Sequence, residues 1–95
     1  MNSDELKAAC VRAGARIIDN PNGTWEAEFE DLWRFDDNNP ALPAYVAERL
    51  VEMVLQDPTT TRRYSAYMEN NMGFISRGFF ASTQQRIRAC MAVLQ

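Results

Sequence analysis

The chain has 95 residues and a formal net charge of −3, with 46% hydrophobic and 24% charged residues. That length suits a single domain over 1–95 with one modest core, and the composition excludes disorder, collagen-like repetition and a disulfide-dense scaffold. No histidine occurs, which removes the commonest general base, the Ser-His and Cys-His nucleophile pairs and most zinc and iron sites.

In chain order, Ser3 reads as an N-cap, with Asp4 and Glu5 in the first turn where the helix dipole favours acids. Leu6, Ala9, Cys10 and Ala13 recur at helical spacing and Gly14 ends the run, so the first helix is expected over 4–13. Pro21-Asn22-Gly23 then separates two strand-like runs, a strong hairpin signal. In the second run Trp25, Ala27 and Phe29 alternate with Glu26, Glu28 and Glu30, the pattern of a strand with one buried and one wet face. Strand two either extends to Phe35 or ends at a turn near Asp31. Asp36-Asp37-Asn38-Asn39-Pro40 reads as a loop.

A second helix is expected from about Ala44 to Gln56. Val46, Ala47, Leu50, Met53 and Val54 form its apolar stripe, and Asp57-Pro58 its stop. Residues 61–68 read as a third strand, with Tyr64, Ala66 and Met68 on one face. Glu69 to Gly73 reads as a turn and Phe74 to Phe80 as a fourth strand weakened by Gly78. Ser82 or Thr83 caps a last helix with Ile87, Cys90, Met91 and Leu94 as its stripe. The expected fold is therefore α+β, in the order α-β-β-α-β-β-α, with one four-stranded antiparallel sheet packed by helices.

The charge is polarised. Every acid except Glu69 precedes Pro58, while the 10 bases divide evenly about that proline. Such polarity steers a small protein toward charged partners or copies of itself, or is absorbed by pairing between the two halves. The opening residues Met1-Asn2-Ser3-Asp4-Glu5 have neither the basic nor the apolar region of a signal peptide, and Glu48, Arg49 and Glu52 interrupt the longest apolar stretch. A cytoplasmic location with reduced thiols is expected, with Cys10 and Cys90 buried on apolar helix faces; a disulfide joining them is the alternative.

Three segments resemble the phage ABA-sandwich domain family, small proteins of tailed phages and prophages. They are Leu6-Lys7-Ala8-Ala9-Cys10, Leu42-Pro43-Ala44-Tyr45 and, above all, Phe80-Ala81-Ser82-Thr83-Gln84-Gln85-Arg86-Ile87-Arg88-Ala89-Cys90. The likeness covers nearly the whole chain through short motifs. It implies a genomic setting, accessory cargo of a phage, and it assigns no catalytic residue.

Residue chemistry points away from an enzyme. The four glycines are scattered rather than gathered in a phosphate loop. Asp31, Asp36, Asp37 and Asn39 could hold a hard cation, but their spacing is not that of an EF-hand. Ser65, Ser76 and Ser82 have no base of a suitable type. No metal or cofactor is expected.

Two binding readings remain. In the first, Glu26, Glu28, Glu30, Asp31, Asp36 and Asp37 form an anionic stripe for a basic surface, with Trp33 beside them as an interface anchor if it stands in water. With the resemblance, this implies an anti-CRISPR-like inhibitor that occludes a basic surface of a host defence protein. In the second, Arg62, Arg63, Tyr64, Tyr67, Phe74 and Arg77 form an Arg/aromatic hairpin over 62–80 for single-stranded nucleic acid, which the overall negative charge opposes. A phage structural or morphogenesis role is a third expectation, and self-association is compatible with the polarised charge.

Overall fold

A computed structural model describes residues 1–30, 33–72 and 82–95. Its elements are α1 (Ser3–Arg12), β1 (Arg16–Asp19), β2 (Trp25–Glu28), β3 (Arg34–Asp36), α2 (Ala41–Leu55), α3 (Pro58–Met72) and α4 (Thr83–Val93). The chain divides within α2 into two compact units, Met1–Val46 and Ala47–Gln95.

In the first unit α1 begins one residue earlier than its acids suggest. Asn2 is the N-cap: its Oδ1 accepts from the Glu5 N–H at 2.8 Å, and Glu5 returns a carboxylate oxygen to the Asn2 N–H at 3.4 Å. This reciprocal arrangement satisfies two backbone donors that a helix start leaves open. Gly14, at φ 101°, follows the helix and turns the chain into β1.

The three strands form one antiparallel sheet in the order β1-β2-β3. The hairpin predicted at Pro21-Asn22-Gly23 is present: the Asn20 N–H donates to the Thr24 carbonyl at 2.8 Å, and Gly23 takes a φ of 87° that β-carbon-bearing residues avoid. That turn sets Arg16 opposite Glu28 and Ile18 opposite Glu26. The alternation in β2 is as the sequence predicts, with Trp25, Ala27 and Phe29 buried and Glu26 and Glu28 half-buried. Strand two does not run on to Phe35. The chain doubles back, the Phe29 N–H donates to the Trp33 carbonyl at 2.9 Å, and Phe35 falls opposite Ala27 in a separate strand.

Burial decides which face becomes the core of this unit. Phe29 and Phe35 meet edge to face at 6.0 Å between ring centroids, and Tyr45 in the first turns of α2 lies 4.8 Å from Phe29 and 4.9 Å from Phe35. Three mutually packed rings stabilise by their buried area plus about 0.5–1.5 kcal/mol per well-oriented pair. Helix α2 starts earlier than expected because Pro43 sits within its first turn, where its missing N–H would have no helical partner in any case.

The second unit corrects the expected fold. Residues 61–68 are not a strand; they lie inside α3. The apparent two-residue alternation of Tyr64, Ala66 and Met68 is an i, i+4 pair with an outsider, since Tyr64 and Met68 are buried and Ala66 is exposed. As expected, α2 stops ahead of Asp57-Pro58, at Leu55; the sequence reading missed the second role of Pro58. It opens α3, with Asp57 Oδ1 accepting from the Thr59 N–H at 2.8 Å. The hydroxyls of Thr60 and Thr61 donate back to the Val54 and Asp57 carbonyls. The expected fourth strand, Phe74 to Phe80, lies outside the described residues. In place of a four-stranded sheet in α-β-β-α-β-β-α order, the described residues form one helix, then a three-stranded sheet, then three helices, still α+β.

Helix α4 packs on α3. Ser82 caps it as predicted, accepting from the Gln85 N–H at 3.1 Å while Gln85 Oε1 accepts from the Ser82 N–H at 2.8 Å. Its buried stripe is Ile87, Ala89, Cys90 and Val93; Met91 and Leu94 are only half-buried.

Candidate functional site

The outer face of the sheet carries two rows of side chains running across the strands. One row is Arg16, Glu28 and Arg34, in direct cross-strand register. Arg16 Nη2 donates to Glu28 Oε1 and Arg34 Nε to Glu28 Oε2, each at 2.7 Å, and the Glu28 side chain is only 11% exposed. The hydrogen bond from Arg34, then that from Arg16, holds the Glu28 carboxyl below its usual range. A charge expected to be part of a free acidic stripe is thus consumed within the sheet.

The other row is Ile18, Glu26 and Asp36. Here two carboxylates face each other across the β2–β3 ladder, and among the described residues no cation pairs with either. Like charges directly opposite on a sheet are destabilising.

The remaining predicted residues disperse. Asp37 turns inward: its Oδ2 accepts from the Trp25 N–H at 3.3 Å, while its own N–H donates to the Trp25 carbonyl at 2.9 Å, closing the end of the ladder. Glu30 is exposed just beyond β2, and Asp31 lies outside the described residues. Trp33 is 58% exposed immediately before β3, its ring 6.2 Å from Phe35. Phe35 itself is buried. Alternation places Trp33 on the Phe35 side of β3 and Asp36 on the other, so only a partner gripping the β3 edge meets both.

Sequence reasoning missed Arg16 and Arg34. Once the Pro21-Asn22-Gly23 turn is accepted, counting outward from it puts Arg16 opposite Glu28, so the first of the two was recoverable from register alone.

Among the described residues, two further places carry candidate chemistry or offer a cavity. A cleft of about 330 Å³ opens beside Ser3, Leu6, Trp25 and Asp37. Within it Trp25 Nε1 donates to Ser3 Oγ at 2.9 Å, and Asp37 bonds the Trp25 backbone. Of the loop residues, Asn39 Oδ1 accepts from the Ala41 N–H at 2.9 Å, and among the described residues no cluster of three metal-binding side chains occurs.

The Arg/aromatic hairpin is not formed. Arg62 and Arg63 are exposed on α3, but Tyr64 is buried and so offers no stacking face; Phe74 and Arg77 lie outside the described residues. Cys10 and Cys90 are buried free thiols, each pushed up to about 12 by desolvation and therefore unsuited to nucleophilic work. Among the described residues no helix is long and apolar enough to cross a membrane. No protein-family model, curated protein or solved structure matches this chain.

Proposed function

We propose that the protein is a non-catalytic binding module that grips a basic surface of another protein with the β3 edge. The observation that carries this reading is the Glu26–Asp36 pair, two carboxylates set opposite each other with no cation among the described residues. A lysine or arginine from a partner, placed between them, relieves the repulsion and gains charge-assisted hydrogen bonds. Trp33 supplies the apolar anchor on the other side of the same strand, in keeping with the enrichment of tryptophan at the centres of interfaces. The Arg16–Glu28–Arg34 row pairs Glu28 fully and keeps one net positive charge, which narrows the contact to Glu26, Asp36 and Trp33 rather than the full acidic stripe.

The resemblance to the phage ABA-sandwich family supplies the setting. In that setting the module is a counter-defence inhibitor acting in the host cytoplasm, and its partner is a host defence protein whose basic surface it occludes. The test is capture from bacterial lysate by the tagged chain, with and without nuclease, read by mass spectrometry. A nuclease-resistant basic protein retained by the native chain and lost by Trp33→Ala and Asp36→Lys supports the reading. Recovery that disappears with nuclease, or equal recovery by both variants, contradicts it.

A further inference from the structure

Asn22 stands apart from the other asparagines of the chain. Asn20 and Asn39 precede prolines, whose nitrogen carries no N–H. Asn2 is engaged as the α1 cap, and Asn70 and Asn71 lie in α3, where helical backbone holds the following nitrogen away from the side-chain carbonyl. Asn38 precedes another asparagine. Asn22 alone precedes a glycine, in an exposed turn, and a β-carbon built on Gly23 would meet nothing within 4 Å. The nitrogen that follows Asn22 thus has no side chain of its own residue beside it to hinder its approach to the Asn22 carbonyl.

The hairpin also activates the Asn22 amide. Its Oδ1 accepts from the Thr24 N–H at 3.1 Å and from Thr24 Oγ1 at 2.6 Å. The Thr24 hydroxyl in turn accepts from Asn20 Nδ2 at 3.1 Å, so a chain of hydrogen bonds runs Asn20 to Thr24 to Asn22. Donors in series polarise one another, and two donors on one carbonyl oxygen stabilise the negative charge that develops there when the carbon is attacked. Against this acts only one restraint on the attacking nitrogen, the bond from the Gly23 N–H to the Asn20 carbonyl at 3.2 Å, near the long limit for such bonds.

We infer that Asn22 is a site of spontaneous deamidation, with the Thr24 donors acting as an oxyanion hole. Hydroxide or water removes the Gly23 amide proton, and the nitrogen attacks the Asn22 side-chain carbonyl carbon. The bond to Nδ2 breaks, and that nitrogen leaves as ammonia after taking up a proton, closing a five-membered imide. Water then opens the ring at either carbonyl to leave aspartate or isoaspartate at position 22. Either product adds a negative charge to the hairpin tip. Isoaspartate also inserts a methylene into the main chain between β1 and β2.

The experiment ages the full chain in mildly alkaline buffer, folded and in urea, and maps its peptides by mass spectrometry, with isoaspartyl methyltransferase labelling to identify the iso product. The folded chain is expected to gain about one dalton on the peptide carrying Asn22 before any other asparagine converts. Asn22→Gln is expected to abolish this, and Thr24→Ala to slow it several-fold while circular dichroism stays native. Conversion elsewhere first, or at Asn22 only in urea, overturns the site; an unchanged rate in folded Thr24→Ala overturns the oxyanion hole.

Discussion

Glu26 lies directly opposite Asp36 across the β2–β3 ladder, one row away from Glu28, which is clamped by Arg16 and Arg34. Two neighbouring rows of the same face therefore differ: one pairs its carboxylate within the sheet, while the other sets two carboxylates against each other. Asp36→Asn removes the repulsion without changing shape. It is expected to stabilise the isolated protein by about 0.2–1 kcal/mol, the size of a cross-strand pair effect. Thermal unfolding of the two proteins side by side checks this, and a lower midpoint for the variant contradicts it.

Glu28 behaves in the opposite way. Glu28→Gln leaves Arg16 and Arg34 facing each other across a neutral residue, so a clear loss of stability is expected. Because its folded carboxyl titrates below the usual 4.5, its contribution is complete above about pH 4.5 and is lost as the pH falls through the lowered folded value. Acid unfolding of the native chain is expected to include this loss. In Glu28→Gln that part of the acid dependence disappears.

The ring cluster sets the stability of the first unit. Phe29 is 1% exposed and touches both Phe35 and Tyr45. Phe29→Ala is expected to cost about 3–5 kcal/mol, as for other large-to-small changes in cores. Denaturant titration gives the value; a cost within the range of surface substitutions would place the ring outside the core.

The thiols give a signature at high pH. Cys10 and Cys90 titrate near 12 in the folded chain against a usual value of 9.0, and burial raises the Tyr64 phenol as well. Their contribution is complete below about pH 9 and is lost as the pH rises toward 12, since the unfolded chain releases those protons first. Alkaline unfolding in this window is expected, together with thiols that react with an aromatic disulfide reagent only after denaturation. Fast reaction of both thiols in the native chain at neutral pH contradicts their burial.

Much of the first half was legible because its signals are local and mutually consistent. The glycine-containing turn, the two-residue alternation of Trp25, Ala27 and Phe29, and the capping residues each answer to short-range physics. β3 was not legible, since Arg34–Asp36 is three residues long and exists through pairing with β2 rather than through a pattern of its own. Helix α3 was misread for a different reason. Tyr64, Ala66 and Met68 fit a period of two, and only burial shows that Tyr64 and Met68 alone make up the apolar stripe. Of the candidate site, the acids were visible, but their partition was not, because it depends on cross-strand neighbours.

The two faces of α3 are expected to tolerate a charge unequally. Ala66→Lys, on the exposed face, is expected to change stability by no more than about 0.5 kcal/mol. Met68→Lys, which buries an unpaired cation, is expected to destabilise strongly. Helical circular dichroism and urea midpoints distinguish the two; equal costs would favour a strand in which both face the same side.

The proposed role of Glu26 and Asp36 is to receive a cation from another protein. Its most direct test is the amount of nuclease-resistant partner captured from lysate by the native chain and by the isosteric double variant Glu26→Gln, Asp36→Asn. The native chain is expected to retain a salt-sensitive basic protein, and the folded variant to lose most of it. Equal capture by the two would contradict it.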